Sequence, residues 1–135
     1  MNGWFADSFF FIALLSEKDH AHRQAVQILD RLTCPLMTTE WALTEVADAL
    51  SKPGARSRCK AFFDFLKSHP LVEIIQAGHS HFDQGLELYA SRLDKDWSLT
   101  DCIAFVVMRE QGLTEALTGD RHFEQAGFTA LLANR

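Results

Sequence analysis

The segment Trp97–Phe123, WSLTDCIAFVVMREQGLTEALTGDRHF, decides how the chain folds. It predicts a helix that Ser98 caps at its N-terminus, that carries Asp101 in its first turn and that ends before Gly112. The middle of this helix, CIAFVVM, is apolar on almost every side, so we expect it to be buried on most of its surface. An acid at the start of a buried helix indicates that a specific role keeps it there.

A short strand and a second acid follow this helix. Glu115–Thr118 predicts the strand, and Gly119 and Asp120 are expected to end it. Asp120 would then lie at the carboxyl end of a strand, which is where α/β folds place their ligand sites. Two acids of this segment, one at a helix start and one at a strand end, are therefore candidates for a functional site.

The N-terminal segment has a similar arrangement. Trp4–Ser8 predicts a buried first strand with Asp7 near its carboxyl end, and Ser8 is expected to cap a helix formed by FFFIALL. Taken alone, Asp7 is explained as well by a helix-capping role as by a functional one. Its interpretation therefore depends on the other acids of the chain.

Short apolar strands alternate with helices along the rest of the chain, which predicts a parallel sheet covered on both faces. A further acid, Glu45, borders the apolar face of the predicted helix at residues 41–50. No repeat, low-complexity tract or linker divides the sequence, so we expect residues 1–135 to form a single domain. The other predicted elements are helices at residues 21–32, at residues 80–93 with Ser80 as the cap, and between a break at residues 52–56 and Pro70, and strands at residues 34–38, 71–75 and 128–132.

The composition is that of an ordinary globular domain, with 47% hydrophobic and 23% charged residues in 135. A net charge of −5 argues against a strongly basic nucleic-acid binder, but it does not exclude a nuclease whose metal ions meet the phosphate. Three widely spaced cysteines without a C-x-x-C motif predict free thiols and a cytoplasmic protein. No segment reaches the roughly 18 apolar residues of a membrane span, and we expect neither a span nor a signal peptide.

The acids Asp7, Glu45, Asp101 and Asp120 each interrupt or border an apolar segment. Because the carboxyl ends of parallel strands share one edge of a sheet, these side chains are expected to converge there. Four carboxylates without a cation would repel one another and raise each other's pKa values. Hard oxygen ligands of this kind suit Mg²⁺ or Mn²⁺, which activate water and stabilise a leaving oxygen. The residues therefore predict a metal-dependent phosphodiesterase.

The same residues resemble a known family, the PIN-domain proteins, and in particular the VapC-like toxin ribonucleases of type II toxin–antitoxin systems. The resemblance covers essentially the whole chain. It rests on four motifs: Asp7 and Ser8 followed by FFFIALL, Glu45 within TTEWALTEV, SLTDC at residues 98–102, and ALTGDRHFEQAGF at residues 116–128. The last two motifs together are the most specific.

The resemblance implies a three-layer α/β/α sandwich with a central, mainly parallel sheet. It implies a Mg²⁺- or Mn²⁺-dependent endoribonuclease that acts on RNA, forms a homodimer and is inhibited by a small antitoxin protein. Matched by position, the four acids fall on the family's catalytic and metal-binding residues. Ser8 and Thr100 fall on hydroxyl positions that often support that site.

Three neighbouring residues have open roles. His122 could contact a substrate phosphate, hold a neighbouring acid or have a purely structural role, and Arg121 is a candidate for a phosphate contact. Asp96 lies near Asp101 in sequence and could contribute to the site or not. The basic residues Arg56, Arg58 and Lys60 could follow an RNA backbone, although a solvated helix face is the better explanation for them.

Two other functions compete with the nuclease. An aspartyl-nucleophile phosphatase usually has a second acid two residues after the first, and here Phe9 occupies that position. The other alternative is a non-catalytic PIN-like module that binds RNA or protein. Such a module would more readily have lost one of the four acids, so the presence of all four favours the enzyme.

Overall fold

The computed structural model describes residues 3–133, which contain seven helices and five strands. No helix in this part of the chain combines the length and the apolar character needed to cross a membrane. In chain order the elements are β1 (Trp4–Ala6), α1 (Ser8–Leu15), α2 (His22–Asp30), β2 (Leu36–Thr39), α3 (Glu40–Ala49), α4 (Pro53–Ser68), β3 (Val72–Ile75), α5 (His79–Ser91), α6 (Leu99–Glu110), β4 (Glu115–Leu117), α7 (Arg121–Gln125) and β5 (Thr129–Ala130).

All five strands run parallel in one sheet, in the spatial order β3-β2-β1-β4-β5. Strands β2 and β3 are added outward from β1 on one side, whereas β4 and β5 extend the sheet on the other. The order therefore reverses between β1 and β4, where Ala6 lies opposite Leu117. In open α/β sheets this reversal opens a space at the carboxyl ends of the two strands, and ligands bind there.

Neighbouring residues of each strand point to opposite faces of the sheet and into two apolar cores. Ala6 and Leu117 join a core formed with helices α1 to α4, whereas Phe5 and Ala116 join a core formed mainly with α5, α6 and α7. Helices thus cover both faces of the sheet. The structure confirms the predicted three-layer α/β/α sandwich.

Helix α6 is the most buried helix of the described chain, as its sequence predicts. Six of its twelve residues are buried, and Ser98 caps its N-terminus. Gly112 follows its end with a φ of 68°, a left-handed conformation that glycine adopts without strain. Helix α5 packs tightly on α6 at Gly85, where a Cβ atom would lie only 2.4 Å from Cγ1 of Ile103.

The predicted cap of the first helix was wrong by one residue. Asp7, not Ser8, is the N-cap of α1: its backbone is extended, and its side chain accepts a hydrogen bond of 3.0 Å from the backbone N–H of Phe9. Both side chains are good caps. The carboxylate takes the position because β1 ends at Ala6, so the chain turns into the helix directly at Asp7.

Two further predictions about helix starts were also wrong. Helix α5 begins at His79, with Gly78 at the N-cap and no side-chain cap, so Ser80 lies inside its first turn. The predicted break at residues 52–56 is instead the start of α4, with Pro53 in the first turn. Proline is tolerated there because the first N–H groups of a helix have no partner within it.

Candidate functional site

Two of the predicted acids follow the strands that border the reversal point. Asp7 comes directly after β1, and Asp120 comes three residues after the end of β4. Each caps the helix that follows it: Asp7 accepts the N–H of Phe9, and Asp120 accepts the N–H of His122 at 2.9 Å. These bonds fix both carboxylates at the carboxyl edge of the sheet.

A buried hydroxyl joins these two acids. The Thr118 hydroxyl donates a hydrogen bond of 3.0 Å to Oδ2 of Asp7 and accepts one of 3.0 Å from the backbone N–H of Asp120. Thr118 is fully buried, so water does not compete for these bonds. Sequence reasoning identified the TGD segment but missed the role of this threonine; the polar residue at the end of an apolar strand was the available signal.

Asp101 reaches the site from the first turn of α6. It forms a capping box with Ser98, in which the Asp101 N–H donates to Oγ of Ser98 at 3.0 Å and the Ser98 N–H donates to Oδ2 of Asp101 at 3.3 Å. The same Oδ2 lies 3.1 Å from Nδ1 of His122. The capping role explains an acid at this position, and the contact with His122 orients it toward Asp120.

Glu45 is carried by α3, which starts immediately after β2. It is partly buried, and the side chain of Ser8 forms a hydrogen bond with its carboxylate. The charges of Asp101 and Asp120 both act on Glu45, which places it in the same group. We call Asp7, Glu45, Asp101 and Asp120 the acid cluster.

Burial and mutual repulsion make the charged form of this cluster unfavourable. The pKa of Asp7 lies well above its ordinary value, first because the group is buried and then because Asp101 and Asp120 are negative; the Thr118 hydroxyl offsets part of this rise. Burial also raises the pKa values of Glu45 and Asp101, and the charge of Asp120 raises both further. A bound cation would remove this penalty.

The donor atoms suit a divalent metal. Asp101, Asp120 and His122 each offer a ligand atom, and these atoms all lie within 4.8 Å of one another. Asp7 adds a carboxylate whose charge interacts with those of Asp101 and Asp120. Carboxylate oxygens are the preferred protein ligands of Mg²⁺ and Mn²⁺, so the residues present fit such an ion.

The remaining predicted residues differ in how they relate to the acid cluster. Ser8 contacts Glu45, but Thr100 forms no side-chain hydrogen bond with another residue in the range 3–133. Arg121 is exposed beside Asp120 and has no ion pair within that range. Asp96 is exposed and does not belong to the possible metal-binding group found among the described residues.

The fold and the acid cluster together define a parallel α/β protein with a carboxylate site at the point where its strand order reverses. Residues 5–129 match the family model of the PIN domain. The chain belongs to the PIN domain family, as its motifs predicted.

Solved structures of VapC toxins and related proteins share this fold. The crystal structure of VapC20 from Mycobacterium tuberculosis, described as a Sarcin-Ricin loop cleaving toxin, matches with a TM-score of 0.85 and 23% identity over 96% of this chain and 98% of that one. FitAcB from Neisseria gonorrhoeae matches with a TM-score of 0.64 and 15% identity over 95% of each chain. DNA-bound VapBC from Salmonella typhimurium matches with a TM-score of 0.66 and 16% identity over 96% of this chain and 97% of that one. No curated protein sequence shows a significant match.

Proposed function

We propose that this protein is a Mg²⁺- or Mn²⁺-dependent endoribonuclease that hydrolyses RNA phosphodiester bonds. The observation that carries the proposal is the convergence of Asp7, Glu45, Asp101 and Asp120 at the reversal point of a PIN-domain sheet. Such a cluster has a high electrostatic cost, and binding a divalent cation is the direct way to offset it.

In this proposal Asp7, Asp101 and Asp120 hold the metal, directly or through water, and Glu45 holds a second ion or positions the attacking water. A bound divalent ion supplies a water of lowered pKa and stabilises charge on the phosphate oxygens. The chain's own contribution is preorganisation. Hydrogen bonds from Thr118, Ser98 and two helix N-termini keep the carboxylates in place before RNA binds.

Binding of RNA needs positive charge that the chain as a whole lacks, since its net charge is −5. Arg121 is exposed beside Asp120, so it is our candidate for a direct phosphate contact. Ser8 supports the site through Glu45. Thr100, at the start of α6, is a candidate for contact with the substrate rather than with the acids.

We infer that the protein is a toxin with a cognate antitoxin and that it acts in the cytoplasm. The family and the likeness to VapC20 and VapBC support this inference. The description of VapC20 as a Sarcin-Ricin loop cleaving toxin makes a hairpin of that type a suitable first substrate. A loop with unstacked bases is also the kind of RNA that proteins recognise by sequence.

We infer further that the protein forms a homodimer through α5. Three large apolar side chains lie exposed on one side of this helix at a helical spacing, and a fourth follows shortly after the helix ends. A row of exposed apolar residues of this kind indicates a protein–protein contact surface. We call them the α5 stripe; they are Phe82 (39% exposed), Leu86 (43%), Tyr89 (51%) and Leu93 (94%).

The test is cleavage of total cellular RNA and of a sarcin–ricin loop hairpin in Mg²⁺ or Mn²⁺. We expect discrete fragments from the wild type, and no fragments with EDTA, with Asp7→Ala or with Asp120→Ala. Asp96→Ala is the matched control, because Asp96 is an exposed acid outside the possible metal-binding group. Circular dichroism establishes that each variant is folded.

Equal cleavage by the wild type and both acid variants would mean that the activity does not belong to this site. Folded, antitoxin-free wild type that cuts no RNA would favour the alternative, a non-catalytic module that binds RNA or protein. Fragments from the wild type and from Asp96→Ala, with none from Asp7→Ala or Asp120→Ala, would establish that the protein is a nuclease that acts through these acids.

A further inference from the structure

His122 lies between two acids of the cluster. Its Nδ1 is 3.1 Å from Oδ2 of Asp101 and 3.5 Å from Oδ1 of Asp120. The ring is therefore directed at the two carboxylates that come from different elements, α6 and the β4–α7 connection. Its side chain is 24% exposed, so most of it is covered by protein.

The backbone holds His122 in this position. Its N–H donates to Oδ1 of Asp120 at 2.9 Å, so the residue and the carboxylate are linked before any ligand binds. The next residue, Phe123, is fully buried and packs on Phe5 and Phe105. The ring therefore projects from a segment that the core fixes, as a preorganised ligand requires.

The distances match those between neighbouring ligands of one ion. With metal–ligand bonds of about 2.1 Å, adjacent ligands of an octahedral ion are about 3 Å apart. The two Nδ1–oxygen distances, 3.1 and 3.5 Å, are close to this value. An ion bound by Nδ1 and the two carboxylates would take the place of the contact between Nδ1 and Oδ2 of Asp101, with the ring N–H on Nε2.

We propose that His122 is a ligand of the divalent ion through Nδ1, beside Asp101 and Asp120, and that it gives the site a preference for Mn²⁺ and Co²⁺ over Mg²⁺. Imidazole nitrogen binds transition metals well, whereas Mg²⁺ strongly prefers oxygen ligands. This inference rests on the proposed metal-dependent function. It adds a non-carboxylate ligand and a metal preference to that function.

The other histidines with contacts are directed elsewhere. His22 contacts the carbonyl of Ala13, His69 accepts from the N–H of Leu71, and His81 pairs with Glu110 at 3.0 Å. His81 resembles His122 in pairing with a carboxylate, but it does so between α5 and the end of α6. His81→Ala is therefore the matched control for His122→Ala.

The decisive measurement is pulsed electron paramagnetic resonance of the Mn²⁺-loaded full chain. We expect modulation from a directly bound ¹⁴N nucleus in the wild type and in His81→Ala, and its replacement by a ¹⁵N signal when histidine is ¹⁵N-labelled. His122→Ala should lose the nitrogen signal while still binding Mn²⁺. The labelling arm shows whether the bound nitrogen belongs to a histidine, and the comparison of His122→Ala with His81→Ala shows whether that histidine is His122. A wild type without a histidine nitrogen signal would overturn the proposal whether or not His122→Ala folds.

Calorimetric titration with Co²⁺ and Mg²⁺ separates a ligand from a residue that only positions the acids. For a ligand, we expect His122→Ala to lose about tenfold or more in Co²⁺ affinity and much less in Mg²⁺ affinity. Equal losses for both ions would overturn the proposal in favour of a positioning role.

The outcomes also separate this inference from the proposed function. The wild type could bind Mn²⁺ without a histidine nitrogen signal, and Asp101→Asn could lose that binding. This result would overturn the role of His122 but leave the carboxylate site standing. Wild-type protein that binds no Mn²⁺ at all would overturn both.

Discussion

The surroundings of Asp7 have two opposite effects on its pKa. As the N-cap of α1 and the acceptor of the Thr118 hydroxyl, its carboxylate is stabilised in the charged form. Burial and the neighbouring acids have the larger effect and raise its pKa. The metal-free protein therefore carries a carboxylate whose ionisation opposes folding, which is typical of groups kept for function.

This raised pKa predicts how stability depends on pH. A group with a higher pKa in the folded state keeps its proton there after the unfolded chain has lost it, so stability falls as pH rises from the ordinary aspartate value through the folded value. Asp7→Asn should therefore raise the melting temperature in EDTA at neutral pH by a few degrees, and the gain should shrink as the pH approaches the ordinary aspartate value. Thermal melting across this pH range measures both effects.

Asp96→Asn is the control for this experiment, since Asp96 is exposed and lies outside the possible metal-binding group. It should leave the melting temperature almost unchanged at every pH. A lower melting temperature for Asp7→Asn at neutral pH would contradict the prediction, because it would show that the capping and Thr118 bonds outweigh repulsion.

At the residue scale, sequence reasoning identifies acids better than it identifies their partners. Asp7 and Asp120 could be predicted because strand ends are visible in the apolar pattern, and Asp101 because capping has a local signature. The hydroxyl of Thr118 could not be assigned to Asp7, since they are 111 residues apart in sequence and meet only through the pairing of β1 with β4. The choice of Asp7 over Ser8 as the cap likewise depended on where β1 ends.

Two close contacts between elements support the site. The ring of Phe9 in α1 packs against Gly119, where a Cβ atom would lie 2.5 Å from its Cζ. Gly85 gives α5 a similar close approach to α6, the helix that carries Asp101. Glycine is needed at both positions for space rather than for backbone conformation, and this need depends on the partner residue, which the local sequence does not reveal.

Gly85→Ala should destabilise the protein by about 1–3 kcal/mol, because the added Cβ would meet Ile103, including its backbone, and overpacking has a cost of this size. Gly54→Ala is the matched control: Gly54 also lies in a helix, and no atom lies within 4 Å of the position of its Cβ. That control should be neutral or stabilising by up to about 1 kcal/mol. Urea denaturation of both variants measures the difference, and equal stabilities would contradict the packing account.

At the element scale, the alternation of strands and helices could be predicted from hydrophobic pattern alone. The starts of α4 and α5 could not. Pro53 and Gly78 are usual signals for a turn, and both occur here at a helix N-terminus, where their backbones are also tolerated. Only the packing of these helices on neighbouring elements, α4 on β3 and α5 on α6, distinguishes the two uses.

At the scale of the whole molecule, the order of the strands creates the site. β1 and β4 are distant in sequence, but they are neighbours in the sheet, and the chain leaves them toward opposite faces. The acids that follow these strands, with those on α3 and α6, therefore meet at one edge. The sequence analysis did not predict this strand order, since apolar patterning predicts strands but not which strands pair.

The α5 stripe predicts the oligomeric state. Leu86→Glu puts a charge in its centre; if the wild type forms the proposed homodimer, this variant should be a monomer, as measured by size-exclusion chromatography with light scattering. Gln84→Glu adds the same charge two residues away, on the opposite side of α5, and should leave the dimer intact. A monomeric wild type, or dimers of equal stability for both variants, would contradict the homodimer through α5.

The central claim is that the acid cluster holds a divalent cation, and anomalous X-ray diffraction from crystals grown with Mn²⁺ tests it most directly. We predict an anomalous peak within bonding distance of carboxylate oxygens of Asp101 and Asp120 and close to Asp7, and its loss in crystals of Asp120→Ala. Manganese bound only at other surface carboxylates, or absent at millimolar Mn²⁺, would contradict the account.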